Sequence, residues 1–303
     1  MSTRIRLRRA ILLLTTAYLL PLSAAQNTGL DTCTSVHILL SRGYNEPYPG
    51  RQGKLVQAIC SGLGNSSCDY EDIVYNNAFG AEYCGAVVAG RRAGVAQITA
   101  YNRRCPDTKL VLSGYSQGAH VLGDILGGGG GGGGGGGEVF MQGCTTPKAA
   151  GLERDAAPGR MVAAALLFGD IRHTANQPYN TLGGAGIDGV YPRSDELLKG
   201  LNSFASVLRD WCEEGDPVCA FGGGRKTYNV QMHLNYFNRY SGDAADWVKS
   251  MFNRTRESTS PLSATPTSSS TESPTGQGSG AMAVGCSRSL VFVAGLILFL
   301  RFN

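Results

Sequence analysis

Ser116, Asp216 and His233 are the residues whose types and order point to nucleophilic chemistry. Ser116 sits in Gly114-Tyr115-Ser116-Gln117-Gly118, between a short apolar run from Lys109 to Ser113 and a helix-like stretch from Ala119 to Leu126. A buried strand, a G-x-S-x-G turn and a helix are together the context of a nucleophile elbow. A serine on so strained a turn tolerates close neighbours only if they lack side chains, hence glycine two before and two after it. The turn lifts the hydroxyl above a sheet. It also brings the Gln117 N–H and the helix N-terminus to where an oxyanion would form.

Such a serine needs a base within hydrogen-bond reach and a group that orients the base, in the chain order serine, acid, histidine. Four histidines compete. His37 falls inside a strand ahead of the nucleophile and reads as packed. His120 is four residues after Ser116 on the same helix and points away from the elbow's mouth. His173, three residues after Asp170, is the runner-up, and Asp170 is the corresponding alternative acid. His233 follows every candidate acid and lies in a predicted loop before the last helix. Asp216 precedes it by seventeen residues, between Cys212 and Cys219, with Pro217 biasing it toward an extended backbone. A carboxylate clamped in that way, were the two cysteines paired, has the rigid support an orienting acid requires.

The elements that must position these groups alternate. Val36 to Leu40 reads as a strand leading into a turn-rich loop, Ser41 to Gly50, which could hold a second oxyanion donor. Lys54 to Cys60 reads as helix and Asp72 to Tyr75 as strand. Between Gly85 and Asn102 a face of Val87, Gly90, Gly94, Ile98 and Tyr101 reads as helix, its glycines allowing close approach to a sheet. Met161 to Phe168 is a buried strand, Tyr179 to Gly200 a Gly-rich loop and Phe204 to Trp211 a last strand. Asp243 to Phe252 is a closing helix capped by Asp243. This alternation predicts an α/β domain with a parallel sheet covered on both faces. The eleven consecutive glycines from Gly127 to Gly137 end in Glu138 rather than the Gly-Lys-Ser/Thr of a phosphate loop, and read as a flexible surface insertion without chemistry.

Both ends read as processing signals. Arg4, Arg6, Arg8 and Arg9 precede an apolar run from Ala10 to Leu20 and small residues up to Ala25. Residues 1–25 are therefore expected to be a secretory signal peptide, the run being too short for the roughly twenty residues that span a bilayer. From Ser258 to Thr275, twelve of eighteen residues are Ser or Thr. The small triplet Ser279-Gly280-Ala281, a spacer and the apolar run Leu290 to Leu300 then form the pattern of a GPI-attachment signal with Ser279 as acceptor. The expected layout is a catalytic domain over 26–256, a stalk over 257–279 and a removed tail over 280–303.

Without its ends the chain keeps 21 of its 27 basic and all 23 acidic residues, a net charge of −2, so nothing in its charge suggests nucleic-acid binding. Eight cysteines remain, an even number that fits four disulfides in an oxidising compartment. Metal-ligand spacing is absent, and no metal or other cofactor is expected. Asn65-Ser66-Ser67 and Asn253-Arg254-Thr255 are N-glycosylation sequons.

Gly-Tyr-Ser116-Gln-Gly after Cys105-Pro106, Cys212-x-x-x-Asp216-Pro-x-Cys219 and the late His233 together resemble the cutinase and acetylxylan esterase family. The resemblance runs from about Cys33 to Phe252. It implies a three-layer, single-domain α/β-hydrolase-like fold without a lid, and a monomeric, cofactor-free serine esterase. Ser116 would be the nucleophile, Asp216 the acid and His233 the base. The oxyanion donors would be the Gln117 N–H and the loop position of Tyr44, where the family carries Ser or Thr. The resemblance pairs Cys33 with Cys105, Cys60 with Cys68 and Cys212 with Cys219, and leaves Cys84 with Cys144. It implies polymeric or small ester substrates, acetylated xylan before cutin; the stalk and its anchor signal depart from the family, and by the tail's own pattern the cell surface is reached through the glycolipid alone. A serine peptidase or thioesterase, or an anchored wall protein that kept the fold and lost turnover, is the rival expectation.

Overall fold

The computed structural model describes residues 33–63, 67–130, 138–141, 144–224 and 227–259, with side chains over the same ranges except 138–145 and 254–259. Residues 1–260 and 261–303 fall into separate units, and every described residue belongs to the first. The expected signal peptide, Asn65, most of the stalk, Ser279 and the tail therefore lie outside the described residues.

Six parallel strands form one sheet in the order β2-β1-β3-β6-β8-β7. They are β1 (Val36–Ser41), β2 (Cys68–Asp72), β3 (Lys109–Tyr115), β6 (Val162–Phe168), β7 (Asn180–Thr181) and β8 (Leu208–Trp211). A separate antiparallel pair, β4 (Glu138–Met141) and β5 (Cys144–Thr146), follows the glycine run. The central strands are rich in Val, Ile, Leu and Ala because helices cover both faces, as expected for a buried parallel sheet. On the helical side, α1 (Gly53–Gly62) packs with α7 (Ser241–Thr259), while α2 (Tyr83–Arg104) and α4 (Asp195–Asn202) pack on α3 (Gln117–Gly127). Two short helices, α5 (Val230–Leu234) and α6 (Tyr236–Arg239), precede α7. Strand order reverses between β1 and β3, and the crevice beyond the carboxyl ends of such a pair is where open α/β sheets place their sites.

The α/β architecture is as expected, with local corrections. Strand β2 occupies Cys68–Asp72 rather than Asp72 to Tyr75. An edge ladder accepts polar residues, whereas the apolar Ile73 and Tyr75 are buried beyond its end. The predicted Gly-rich loop contains β7 and α4, and α4 carries Asp195 and Glu196 in its first turn. Helix α7 begins at Ser241 and runs to Thr259, so Asp243 lies in its first turn rather than at its cap, and the helix enters the expected stalk. Gly90 and Gly94 bring α2 against α3: a Cβ at Gly94 would collide with Ile125, and one at Gly90 would lie 3.0 Å from Val121.

The glycine run is not a free insertion throughout. Gly127 ends α3, Gly128 to Gly130 are buried, and Gly129 pairs with Ala149. Residues 131–137 lie outside the described set. Three disulfides form as the resemblance implied, Cys33–Cys105, Cys60–Cys68 and Cys212–Cys219. Cys84 is also disulfide-bonded, and the Cys144 side chain is outside the described residues.

Candidate active site

Ser116 follows β3 directly and starts α3 with φ 55° and ψ −119°, a conformation a side-chain-bearing residue adopts only under constraint. The constraint is visible on both sides. The Ser116 N–H bonds the Phe168 carbonyl at the end of β6 (2.9 Å), and the Ser116 carbonyl accepts from Ala119 and His120 in α3 (2.9 and 3.2 Å). A Cβ on Gly114 would sit 2.5 Å from the Gly118 carbonyl oxygen, and one on Gly118 would overlap the Ser41 carbonyl and approach that of Arg42 to 2.6 Å. Both elbow glycines are therefore required by contact, and Gly118 is what lets the loop after β1 lie against the elbow.

The Ser116 hydroxyl lies 2.9 Å from His233 Nε2, and His233 Nδ1 lies 2.9 and 3.1 Å from the two carboxylate oxygens of Asp216. His233 sits on α5 rather than in a loop, and the Asn229 side chain caps that helix by accepting from the Gln231 N–H at 3.0 Å. The Tyr115 hydroxyl donates to the His233 carbonyl (3.0 Å), tying the histidine's backbone to the elbow strand. Gly169 closes the other side: its φ is +58°, and a Cβ there would be 2.8 Å from His233 Cε1 and Nδ1.

Asp216 is fully buried in the loop closed by Cys212–Cys219. Its Oδ1 accepts from Val218 N–H (2.7 Å) and Cys219 N–H (3.3 Å), and its Oδ2 accepts from the Tyr236 hydroxyl (2.7 Å). Burial pushes the carboxyl up, but His233, the Tyr236 hydroxyl and the Val218 N–H outweigh it and hold the carboxyl below its ordinary range. It is thus an anion that keeps the His233 ring turned toward Ser116. The Tyr236 oxygen accepts from the Glu213 N–H (2.9 Å), so its proton is committed to Asp216.

The loop after β1 is framed by buried polar groups. Glu46 accepts from the Gly43 N–H (3.1 Å) and the Arg51 N–H (2.8 Å), and Asn77 donates to the carbonyls of Gly43 (2.6 Å) and Glu46 (2.8 Å). Arg42 bonds Asp72 (2.9 Å) and the Glu46 carbonyl (2.9 Å). The Tyr44 ring turns onto Phe79, and its hydroxyl accepts from the Gly80 N–H at 2.7 Å. The main-chain N–H groups of Tyr44 and Gln117 have no hydrogen-bond partner among the described residues.

The rival histidines serve the core. His173 bonds Asp210 (2.7 Å), and Asp170 bonds Arg193 (2.5 Å) and the Arg172 N–H (2.9 Å), all buried. His120 lies 3.4 Å from Asp124 inside α3. His37 is stacked on Tyr101 and lies between Asp69 (2.8 Å) and Glu71 (3.2 Å). Asn253, the sequon asparagine within the described set, is exposed on α7. Among the described residues no group of three His, Cys, Asp or Glu could hold a metal.

Tyr236, Gly169, Asn77 and Asn229 escaped the sequence reading. Tyr236 stands only three residues after His233, but on the next helix, α6, so no helical period marked it. Asn229 had a local signal, an N-cap asparagine four residues before His233, whereas Gly169 and Asn77 act across segments remote in the chain.

A serine at a strained strand-to-helix turn, in line with a histidine and a buried carboxylate at the carboxyl edge of a parallel sheet, defines an α/β-type serine hydrolase. The profile of the cutinase family matches residues 32–252. The chain belongs to that family, and it is a serine carboxylic ester hydrolase. It is similar to Cutinase 11 of Verticillium dahliae, at 29% identity over 230 residues, 74% of this chain and 70% of the relative. It is also similar to Acetylxylan esterase 2 of Talaromyces purpureogenus, at 28% over 209 residues, 69% and 76% of the two chains. The solved catalytic core domain of acetyl xylan esterase from Trichoderma reesei matches with a TM-score of 0.59 at 26% identity, covering 73% of this chain and all (100%) of that one.

Proposed function

We propose that the protein deacetylates plant cell-wall polysaccharide through an acyl-enzyme formed on Ser116. The supporting observation is the unbroken chain from the Ser116 hydroxyl through His233 to the Asp216 carboxylate. In this reading His233 Nε2 takes the Ser116 proton as Oγ attacks the ester carbonyl, then delivers it to the departing sugar oxygen. Water next attacks the acetyl-serine with His233 again as base, releasing acetate and restoring the hydroxyl. Asp216 stabilises the imidazolium formed in each half. The Gln117 and Tyr44 N–H groups receive the oxyanion. Two donors fixed before substrate arrives cost no reorganisation during reaction, and such a donor is commonly worth about 10²–10³ in kcat.

The acetyl preference is supported by the relatives named as acetylxylan esterases and by the polar frame of Arg42, Glu46 and Asn77 around the Tyr44 loop. In the same proposal the protein is secreted, glycosylated at Asn65 and Asn253, and held at the cell surface by a glycolipid on Ser279.

The experiment is kcat/KM for p-nitrophenyl acetate through palmitate, beside acetate release from acetylated xylan, with Ser116→Ala as blank. Acetate should be preferred, and Ser116→Ala should lower turnover by roughly 10³-fold or more with the fold retained. A specificity constant that climbs with chain length would replace this reading with a cutinase acting on long-chain polyester. No turnover on any ester would leave an inactive surface protein.

A further inference from the structure

Large side chains left in water are concentrated on one side of this molecule. Among the described residues the exposed large hydrophobics are Tyr48 (42% exposed), Tyr70 (44%), Val74 (68%) and Phe79 (56%). All four belong to the loop after β1, the edge strand β2, or the segment leading out of β2. The three aromatic ones lie in ring pairs: Tyr48 with Tyr70 at 5.9 Å between centroids, and Phe79 with the half-buried Tyr44 at 6.4 Å. The Tyr48 hydroxyl reaches the Tyr70 carbonyl at 3.3 Å, which folds the loop down over the strand edge.

Tyr44 makes this surface continuous with the active site. Its main-chain N–H belongs to the oxyanion loop, while its ring faces Phe79. Tyr70 pairs with Ile38, three residues before the end of β1, so the surface runs roughly 10 Å down the sheet edge from the site. Scattered surface apolar residues need no explanation, but exposed rings gathered along one strand edge beside a catalytic mouth mark a binding surface.

We propose that this edge is a docking strip for the polymer backbone of a polysaccharide substrate, taking pyranose rings on the faces of Tyr48, Tyr70 and Phe79. The chemistry of the strip selects that occupant over an aliphatic polyester. Three of its four members are rings, two with hydroxyls, and Val74 is the one aliphatic member. Asp72, two residues after Tyr70 and so on the same face of β2, keeps 17% of its side chain exposed, whereas Asp69 and Glu71 face the other way onto His37. An alkyl chain laid over Asp72 and the two tyrosine hydroxyls would strip them of water without replacing its hydrogen bonds. A sugar chain presents C–H faces to the rings and hydroxyls to Asp72 and the tyrosine hydroxyls. The strip acts before and apart from bond cleavage, so it should govern binding of polymer and leave a small ester indifferent. The inference rests on the polysaccharide deacetylase reading for its substrate, but its test does not require turnover.

The test uses the mature protein with Tyr48→Ala and, separately, Tyr70→Ala, neither of which touches the reacting atoms or the Tyr44 brace. In native gels containing deacetylated xylan, the parent should be retarded and each variant should lose at least fivefold in apparent affinity. With p-nitrophenyl acetate, kcat/KM should stay within twofold of the parent. With soluble acetylated xylan, KM should rise at least fivefold at constant kcat. Parent-like retardation and KM in both variants would overturn the proposal, as would a parent that xylan does not retard. If the parent binds xylan through these residues yet releases acetate from p-nitrophenyl acetate alone, the strip stands and the deacetylase reading fails. A larger loss on an aliphatic polyester emulsion than on xylan would assign the edge to lipid-like substrate and reject it as a sugar strip.

Discussion

Each residue of the candidate triad is held by a neighbour that can be removed without touching the reacting atoms. Tyr236 is the clearest case, since it donates to Asp216 Oδ2 and accepts from the Glu213 N–H. The Asp216 carboxyl is held below its unperturbed value of 3.8, so its ionisation adds stability that is complete above that value and disappears as pH falls through the lowered native one. Tyr236→Phe removes one of the groups that lower it. The acid-unfolding midpoint, followed by circular dichroism, should therefore move to higher pH. The unpaired Glu213 N–H should cost a further 1–3 kcal/mol or so at neutral pH, read from urea midpoints. An unchanged acid midpoint would show that Tyr236 does not set the carboxyl's affinity for protons. Tyr44 poses a different question, because a bulky residue replaces a small hydroxyl beside the proposed oxyanion hole. Its ring is turned out and its hydroxyl is tied to Gly80, so the side chain braces its own main-chain N–H. Tyr44→Phe loses that brace, and we expect kcat to fall about three- to tenfold at constant KM in steady-state assays.

Elements bring those residues together, and they were legible in the sequence to very different degrees. The elbow was readable because its cause is local: strand, serine between two glycines and helix are contiguous from Lys109 to Gly127. Asp216 was readable because two cysteines frame it within eight residues. Gly169 was not, since its need for a missing side chain comes from His233, 64 residues away. Strand β2 was misplaced because hydrophobicity marks burial: no residue of the edge strand is buried, while Ile73 and Tyr75 just beyond it are. Helix α4 was missed because the glycines before it dilute its apolar period, although Asp195 and Glu196 supplied a first-turn signal. The element-scale prediction follows from the close fit of β6's exit against α5. Gly169→Ala combines a positive φ with a Cβ 2.8 Å from the His233 ring, so the ring must shift. Turnover of p-nitrophenyl acetate should drop on the order of 10²-fold, as for other ångström-scale misplacements. The circular dichroism spectrum should stay native, and a fully active Gly169→Ala protein would show that α5 can move without cost to the chemistry.

Across the whole molecule, the sheet brings β1 and β3 side by side at the point where strand order reverses, and loops from both meet at Ser116. The proposed carboxyl-terminal anchor would hold this domain off a membrane by a Ser/Thr-rich stalk, with α7 running into its start. Phosphatidylinositol-specific phospholipase C should then release esterase activity from washed membranes into the supernatant. Activity that leaves only with detergent, with residues beyond Ser279 still attached, would make the apolar run itself the anchor.

The short loop between Cys212 and Cys219 also sets an order of events in the life of the chain. Asp216 keeps its bearing on His233 while that loop is closed, and the closure is a covalent bond that a reducing compartment withholds. A newly made, still reduced chain would possess its elbow serine but a carboxylate on a slack tether. Ester cleavage would thus be acquired late, at oxidation, leaving the cell that makes the enzyme largely unexposed to it.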